Sequence, residues 1–176
     1  MSKAQYDKYF IRGPKPGETN EFQKRYTAML DDDVIKGSFF FNCTFMQPKY
    51  STGIHSPHTH PYSEILFFHG TDPDNPYELG WELDLYMGPE FERYTVTKTS
   101  VIFIPPRFIH CPIISRMKRP AFHIYCMTGP LLIRDDYLGI IKQEGTFERK
   151  YEKHFISGPK QGEIRKEYKK IYYLHR

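Results

Sequence analysis

The stretch Gly53–Gly70 carries two histidines and a glutamate, His58, His60 and Glu64, of the types that bind transition metals. All three are even-numbered, so on an extended strand they point to the same side. Two imidazoles and one carboxylate converging inside a β-structure suit a divalent transition metal. Further on, Ile104–Pro112 offers one more histidine, His110, at the start of a strand and after the rigid Pro105-Pro106 turn.

Other side chains stand close to these in pattern. Tyr62 shares parity with His60 and Glu64, which makes it a candidate hydrogen-bond donor to a substrate; a packing aromatic at a strand bulge fits the same position. His123 and Tyr125 alternate with Phe122, Ile124 and Cys126 on a late strand. A metal-holding cavity tolerates the polar set, and a buried histidine bonded to backbone explains His123 as well. Tyr62 and His123 are therefore the candidate catalytic residues. Arg107 either reaches a substrate carboxylate at the mouth or is a surface arginine. His55 is odd-numbered and in a loop, hence a non-ligand near the mouth. His69 faces away, and His154 and His175 have no ligand spacing. Cys111 points outward by parity and reads as core, because no basic partner marks it as a nucleophile.

The elements that must position these groups read as β. Runs rich in Val, Ile, Phe, Tyr and Thr lie at Phe39–Met46, Ser63–Phe68, Trp81–Met87, Thr95–Thr97, Val101–Ile104, Cys111–Ser115 and Ala121–Met127. Glycine- and proline-bearing turns separate them, including Gly70-Thr71-Asp72-Pro73-Asp74-Asn75-Pro76. Short strands without intervening helices favour a sandwich or barrel over a parallel α/β sheet. Trp81, Leu83, Leu85 and Met87 alternate with Glu82, Asp84 and Tyr86, which gives one apolar and one wetter face. Helices are expected at Thr19–Leu30 and Arg134–Ile141. Residues 8–18 and 153–163 are identical at eight of eleven positions. The repeat marks either the stump of a second barrel or the same strand-turn unit at two edges of one barrel.

At this point the chain resembles the cupin superfamily. The first cupin motif has a glycine, His-x-His, a glutamate and a closing glycine. His58-Thr59-His60, Glu64 and Gly70 follow it, with Gly53 one residue closer than the pattern asks. The second motif is matched by Pro105 and His110, whereas Thr99, Arg107 and Ile114 stand where the family tends to have Gly, Gly and Asn. The likeness spans about residues 38–127, half the chain. It implies an all-β, cupin-type double-stranded β-helix (jelly-roll) barrel. One domain then covers residues 1–176, with a barrel core of about 38–128 and short helical or extended arms at 1–37 and 129–176. It further implies one divalent metal ion (Fe, Mn, Ni, Co or Zn) on His58, His60, Glu64 and His110, with bonds near ~2.0–2.2 Å for a zinc-like ion. Proteins of this kind include dioxygenases, decarboxylases, isomerases, lyases and simple binding proteins, and the fold does not choose among them. The expectation is a metal-dependent enzyme acting on a small organic acid or aromatic compound; the alternative is a non-catalytic small-molecule binding or sensor protein. No helix-turn-helix pattern, expected of a fused regulator, is visible.

Composition narrows the classes. Fourteen Phe and 14 Tyr supply enough apolar surface for a packed core, which excludes a disordered chain. No run approaches 18 apolar residues and the start lacks an apolar leader, so a cytoplasmic protein off the membrane is expected. Three cysteines without CxxC spacing, Cys43, Cys111 and Cys126, argue against a disulfide framework or a cysteine zinc site. From Glu148 to Arg176 nine Lys/Arg interleave with four acids. That mixture reads as a solvated face, so nucleic acid is not the expected partner. A ligand inside the barrel and a second copy of the chain are. The arms exceed what a small barrel needs, and Phe10, Ile11, Phe155 and Ile156 are apolar enough to bury against a neighbour in a homodimer.

Overall fold

A computed structural model describes residues 9–10, 26–50, 55–136 and 151–157. Eleven strands account for most of them: β1 (Tyr26–Leu30), β2 (Phe40–Met46), β3 (His58–Thr59), β4 (Glu64–Gly70), β5 (Glu78–Met87), β6 (Glu92–Lys98), β7 (Ser100–Ile104), β8 (His110–Met117), β9 (Ala121–Met127), β10 (Asp135–Asp136) and β11 (Phe155–Ser157). They form two antiparallel sheets, in the orders β1-β2-β9-β4-β7-β11 and β10-β3-β8-β5-β6. Without β1, β10 and β11, the eight central strands alternate between sheets as first-eighth-third-sixth and second-seventh-fourth-fifth. That order is the double Greek key of a jelly roll. The fold is the all-β jelly-roll barrel expected from the motifs.

Alternation along the strands builds the core. β2, β4 and β9 bury every second residue, and the inward set meets between the sheets. Phe40, Phe68, Trp81, Leu83, Leu85, Ile102, Ile104 and Ile113 are almost wholly buried, with Phe68 edge-on to Trp81 at 5.4 Å. β5 departs from simple alternation. Asp84 and Tyr86, read as the wetter face, are buried too. Asp84 is satisfied there by hydrogen bonds from Thr95 Oγ1 (2.6 Å) and Arg116 Nη2 (2.8 Å) on the flanking strands. Gly70 marks the crossing from β4 to β5: a Cβ there would lie 2.1 Å from the Glu78 carbonyl oxygen, so no larger residue fits.

Both arms differ from expectation. The proposed helix at Thr19–Leu30 is a strand over Tyr26–Leu30, because that segment finds the open edge of β2 and pairs with it; residues 19–25 lie outside the described residues. The proposed helix at Arg134–Ile141 begins instead as β10, which pairs with β3, and residues 137–141 lie outside the described set. Of the repeat, residues 155–157 pair as β11 with the edge of β7, while residues 11–18 and 158–163 are not described. Among the described residues no helix is long and apolar enough to cross a membrane.

Candidate metal centre

His58 and His110 are register partners across β3 and β8, which sets their rings 4.4 Å apart. His60 follows β3 directly, 4.8 Å from the His58 ring and 5.3 Å from that of His110. One ligand atom from each of the three lies within 4.8 Å of the others. Glu64 opens β4 in the opposite sheet. The chain crosses between sheets at Pro61-Tyr62-Ser63, so the carboxylate meets the imidazoles from across the barrel and not from further along one strand. Its Oε2 lies 3.1 Å from His110 Nε2 and 3.5 Å from His60 Nε2.

Backbone carbonyls orient every ring. His58 Nδ1 donates to Ser56 O (2.6 Å), His60 Nδ1 to Ile133 O (2.6 Å) and His110 Nδ1 to Phe108 O (3.1 Å). A carbonyl only accepts, so each Nδ1 carries a proton, which in a neutral ring leaves the Nε2 lone pair facing the cluster. Burial strengthens this state. Desolvation, with help from His110, pushes His58 down to about 3, and burial also lowers His60. His58 and His60 are thus ready to ligate without losing a proton.

Around them is a cavity of about 390 Å³ counting its mouth. Leu66, Ile113, Leu132 and Tyr125 give it apolar walls, and His55, His123 and Arg134 add polar groups. His123 is 4% exposed, stacks on Phe68 at 4.6 Å, and its Nε2 has no partner among the described residues. Burial, then His55, pushes it down to about 3, so it too is a neutral ring. Burial pushes His55 at the cavity wall down to about 4, with Arg134 adding to the shift.

Two expectations change, at Tyr62 and Cys111, and of the two readings of Arg107 the surface one holds. Tyr62 does not line the cavity. Its half-buried ring lies over Gly129, where a Cβ would sit 2.0 Å from Tyr62 Cδ2, because the crossing between sheets turns it away from the imidazoles. Arg107 is exposed and likewise lines no part of the cavity. It sits at φ +60, the left-handed conformation that explains the family's glycine there, and its N–H donates to His60 O (2.6 Å). Cys111 faces the cavity instead of pointing outward. A register irregularity between β5 and β8 puts His110 and Cys111 on the buried side together. Burial raises the Cys111 thiol well above its ordinary value, so it remains an unreactive wall.

Sequence reasoning missed Leu132, Ile133 and Arg134. They form a strap from Leu131 to Asp136 that closes one side of the cavity and is pinned by β10 on β3. Gly129-Pro130 just before it was the only signal, and it reads simply as a turn.

No family profile matches the chain, and no curated protein matches it. Among solved structures it is similar to a recombinant oxalate oxidase in complex with glycolate, with a TM-score of 0.49 and 16% identity over 76% of this chain and 66% of that one. It is also similar to a Lactobacillus farciminis oxalate decarboxylase formate complex (TM-score 0.46, 16% identity, 70% of this chain and 33% of that one). A third is the polyketide cyclase RemF from Streptomyces resistomycificus (0.43, 17%, 79% and 87%). The chain thus spans just under two thirds of the oxidase and one third of the decarboxylase. The jelly-roll assignment rests on the strand order itself.

Proposed function

We propose that His58, His60, Glu64 and His110 hold one divalent transition-metal ion, and that the cavity beside it serves an enzyme acting on a small organic acid or aromatic compound. The observation that carries this reading is the Glu64 carboxylate. Its Oε2 is buried, has no hydrogen-bond partner among the described residues, and faces imidazole nitrogens whose protons are committed elsewhere. Lone pairs of a carboxylate and of neutral imidazoles repel one another unless a cation sits among them. A divalent ion held by three imidazoles and one carboxylate would keep a net positive charge and would supply Lewis-acid chemistry to a ligand in the cavity. The protein's part is to fix the rings through Ser56, Phe108 and Ile133, to exclude water with Leu66, Ile113 and Leu132, and to offer His123 as a neutral hydrogen-bonding group. Tyr62 has no place in this scheme.

Metal analysis of the purified full chain is the test. About one transition-metal ion per chain is expected in wild type, with loss of most of it in His110→Ala, since removing a direct ligand exceeds the ~10–100-fold cost of a supporting change. Equal loading of wild type and variant would overturn the site. A screen of small acids with and without air, on the loaded protein, then reads the reaction class.

A further inference from the structure

We propose that Arg134 is the carboxylate-binding residue of the cavity, so that the ligand is a small anion gripped at the mouth by Arg134 while its body lies against the apolar wall and reaches His123. This rests on the reading above for the ligand's other end, but not for the grip itself. The guanidinium lines the same cavity as the imidazole cluster. The strap holds it there at two backbone points: Ile133 O accepts from His60 Nδ1 (2.6 Å), and Asp136 pairs with His58 across β10 and β3. Among the described residues only Nη2 is engaged, on Asp136 Oδ1 and on Ser56 Oγ (2.8 Å). An arginine has five N–H donors, so Nε–H and the Nη1 hydrogens are left to give single charge-assisted hydrogen bonds to a carboxylate oxygen. Asp136 and Ser56 take up Nη2 and fix the plane in which those donors lie.

His123 supplies the second, independent observation. It is buried, lines the cavity, and has an unpartnered Nε2. Leaving a buried polar atom without a partner is unfavourable, and a ligand with a second polar atom relieves that. Leu66, Ile113 and Leu132 line the same cavity and offer an apolar wall for a small carbon body. A carboxylic acid with a small body and a second polar atom meets all three.

The test compares glycolate, malonate and benzoate with their neutral amides by titration calorimetry, on the full chain with and without metal. Wild type should bind at least one of these carboxylates ten-fold or more tightly than its amide. Arg134→Gln should remove that preference while metal content and melting temperature stay at wild-type values. Arg134→Lys, which keeps the charge but not the planar donors fixed by Asp136 and Ser56, should fall between. Unchanged carboxylate preference in Arg134→Gln overturns the proposal, as does a wild type with no carboxylate preference, or one that prefers inorganic phosphate to all three acids. The metal reading fails separately: a wild type that carries no metal yet keeps an Arg134-dependent preference for a carboxylate sinks the ion and retains the grip.

Discussion

At the scale of single residues the site is a set of imidazoles around one carboxylate. Glu64 is the member that matters most, because its Oε2 is buried and sits 3.1 Å from His110 Nε2. Glu64→Gln replaces that buried carboxylate with an amide that can also donate an N–H. The metal-free variant should therefore be as stable as metal-free wild type, or more so by about 1 kcal/mol, while added metal raises the melting temperature of wild type alone. Calorimetry in chelator, then with metal restored, reads both halves. His123 makes a different prediction. Its ordinary value of 6.5 falls to about 3 in the folded state. Between those two values the unfolded chain binds the extra proton, so stability rises with pH across the window and is lost as pH falls through it. At pH 5 the contribution of this one ring is a loss on the order of 2 kcal/mol. The gap between urea midpoints at pH 7 and pH 5 should narrow in His123→Phe, which keeps the stacking on Phe68, while His55 and His58 maintain the rest of it; equal pH dependence in both proteins would refute the assignment.

The strands show what the sequence could and could not reveal. β9 was legible residue for residue, and β2, β4, β5, β7 and β8 to within a few residues, because period-two patterning and turn chemistry agree along them. The four proposed ligands were legible because a side chain must supply each one. The strap was not. Its key contribution to the cluster is the Ile133 carbonyl, which any residue type could provide, and its strand is two residues long. β1 was misread because Tyr26–Leu30 alone carries no alternation against a helix; the open edge of β2 decides its state. The parity argument failed at Cys111 for a local reason, the irregularity beside Met87. Tyr62 belongs to this scale too, as packing for the turn that launches the strap. Gly129 accepts from the Phe40 N–H (2.8 Å) while Tyr62 covers its Cα. Gly129→Ala should cost on the order of 1–3 kcal/mol and lower metal content by displacing the strap. Tyr62→Ala in the same chain should restore the metal; thermal melts and metal analysis of the single and double variants check this. Failure of the double variant to recover would separate Tyr62 from the clash.

For the whole molecule, the six-stranded sheet presents an outer face that is apolar across four strands. Phe41, Cys126, Ile65 and Phe103 form one row by register, and Cys43, Ile124, Phe67 and Val101 the next. Ile65 and Phe103 are 40% and 45% exposed. Such a face is best covered by another copy, and we expect a homodimer at micromolar concentration. Light scattering on Ile65→Lys/Phe103→Lys should give a monomer with its metal content unchanged, and a monomeric wild type would count against the pairing. The inner end of the barrel has its own consequence. β3 touches β8 at the single pair His58–His110 and β10 at two, so the corner that holds the imidazoles is the most thinly laddered part of either sheet. An ion bonded to β3, β4 and β8 would rivet that corner from one sheet to the other. Its arrival should be felt as slowed amide hydrogen exchange around His58–Glu64 and Ile133–Asp136, while the densely paired Trp81–Met117 end exchanges at the same rate whether the ion is there or not.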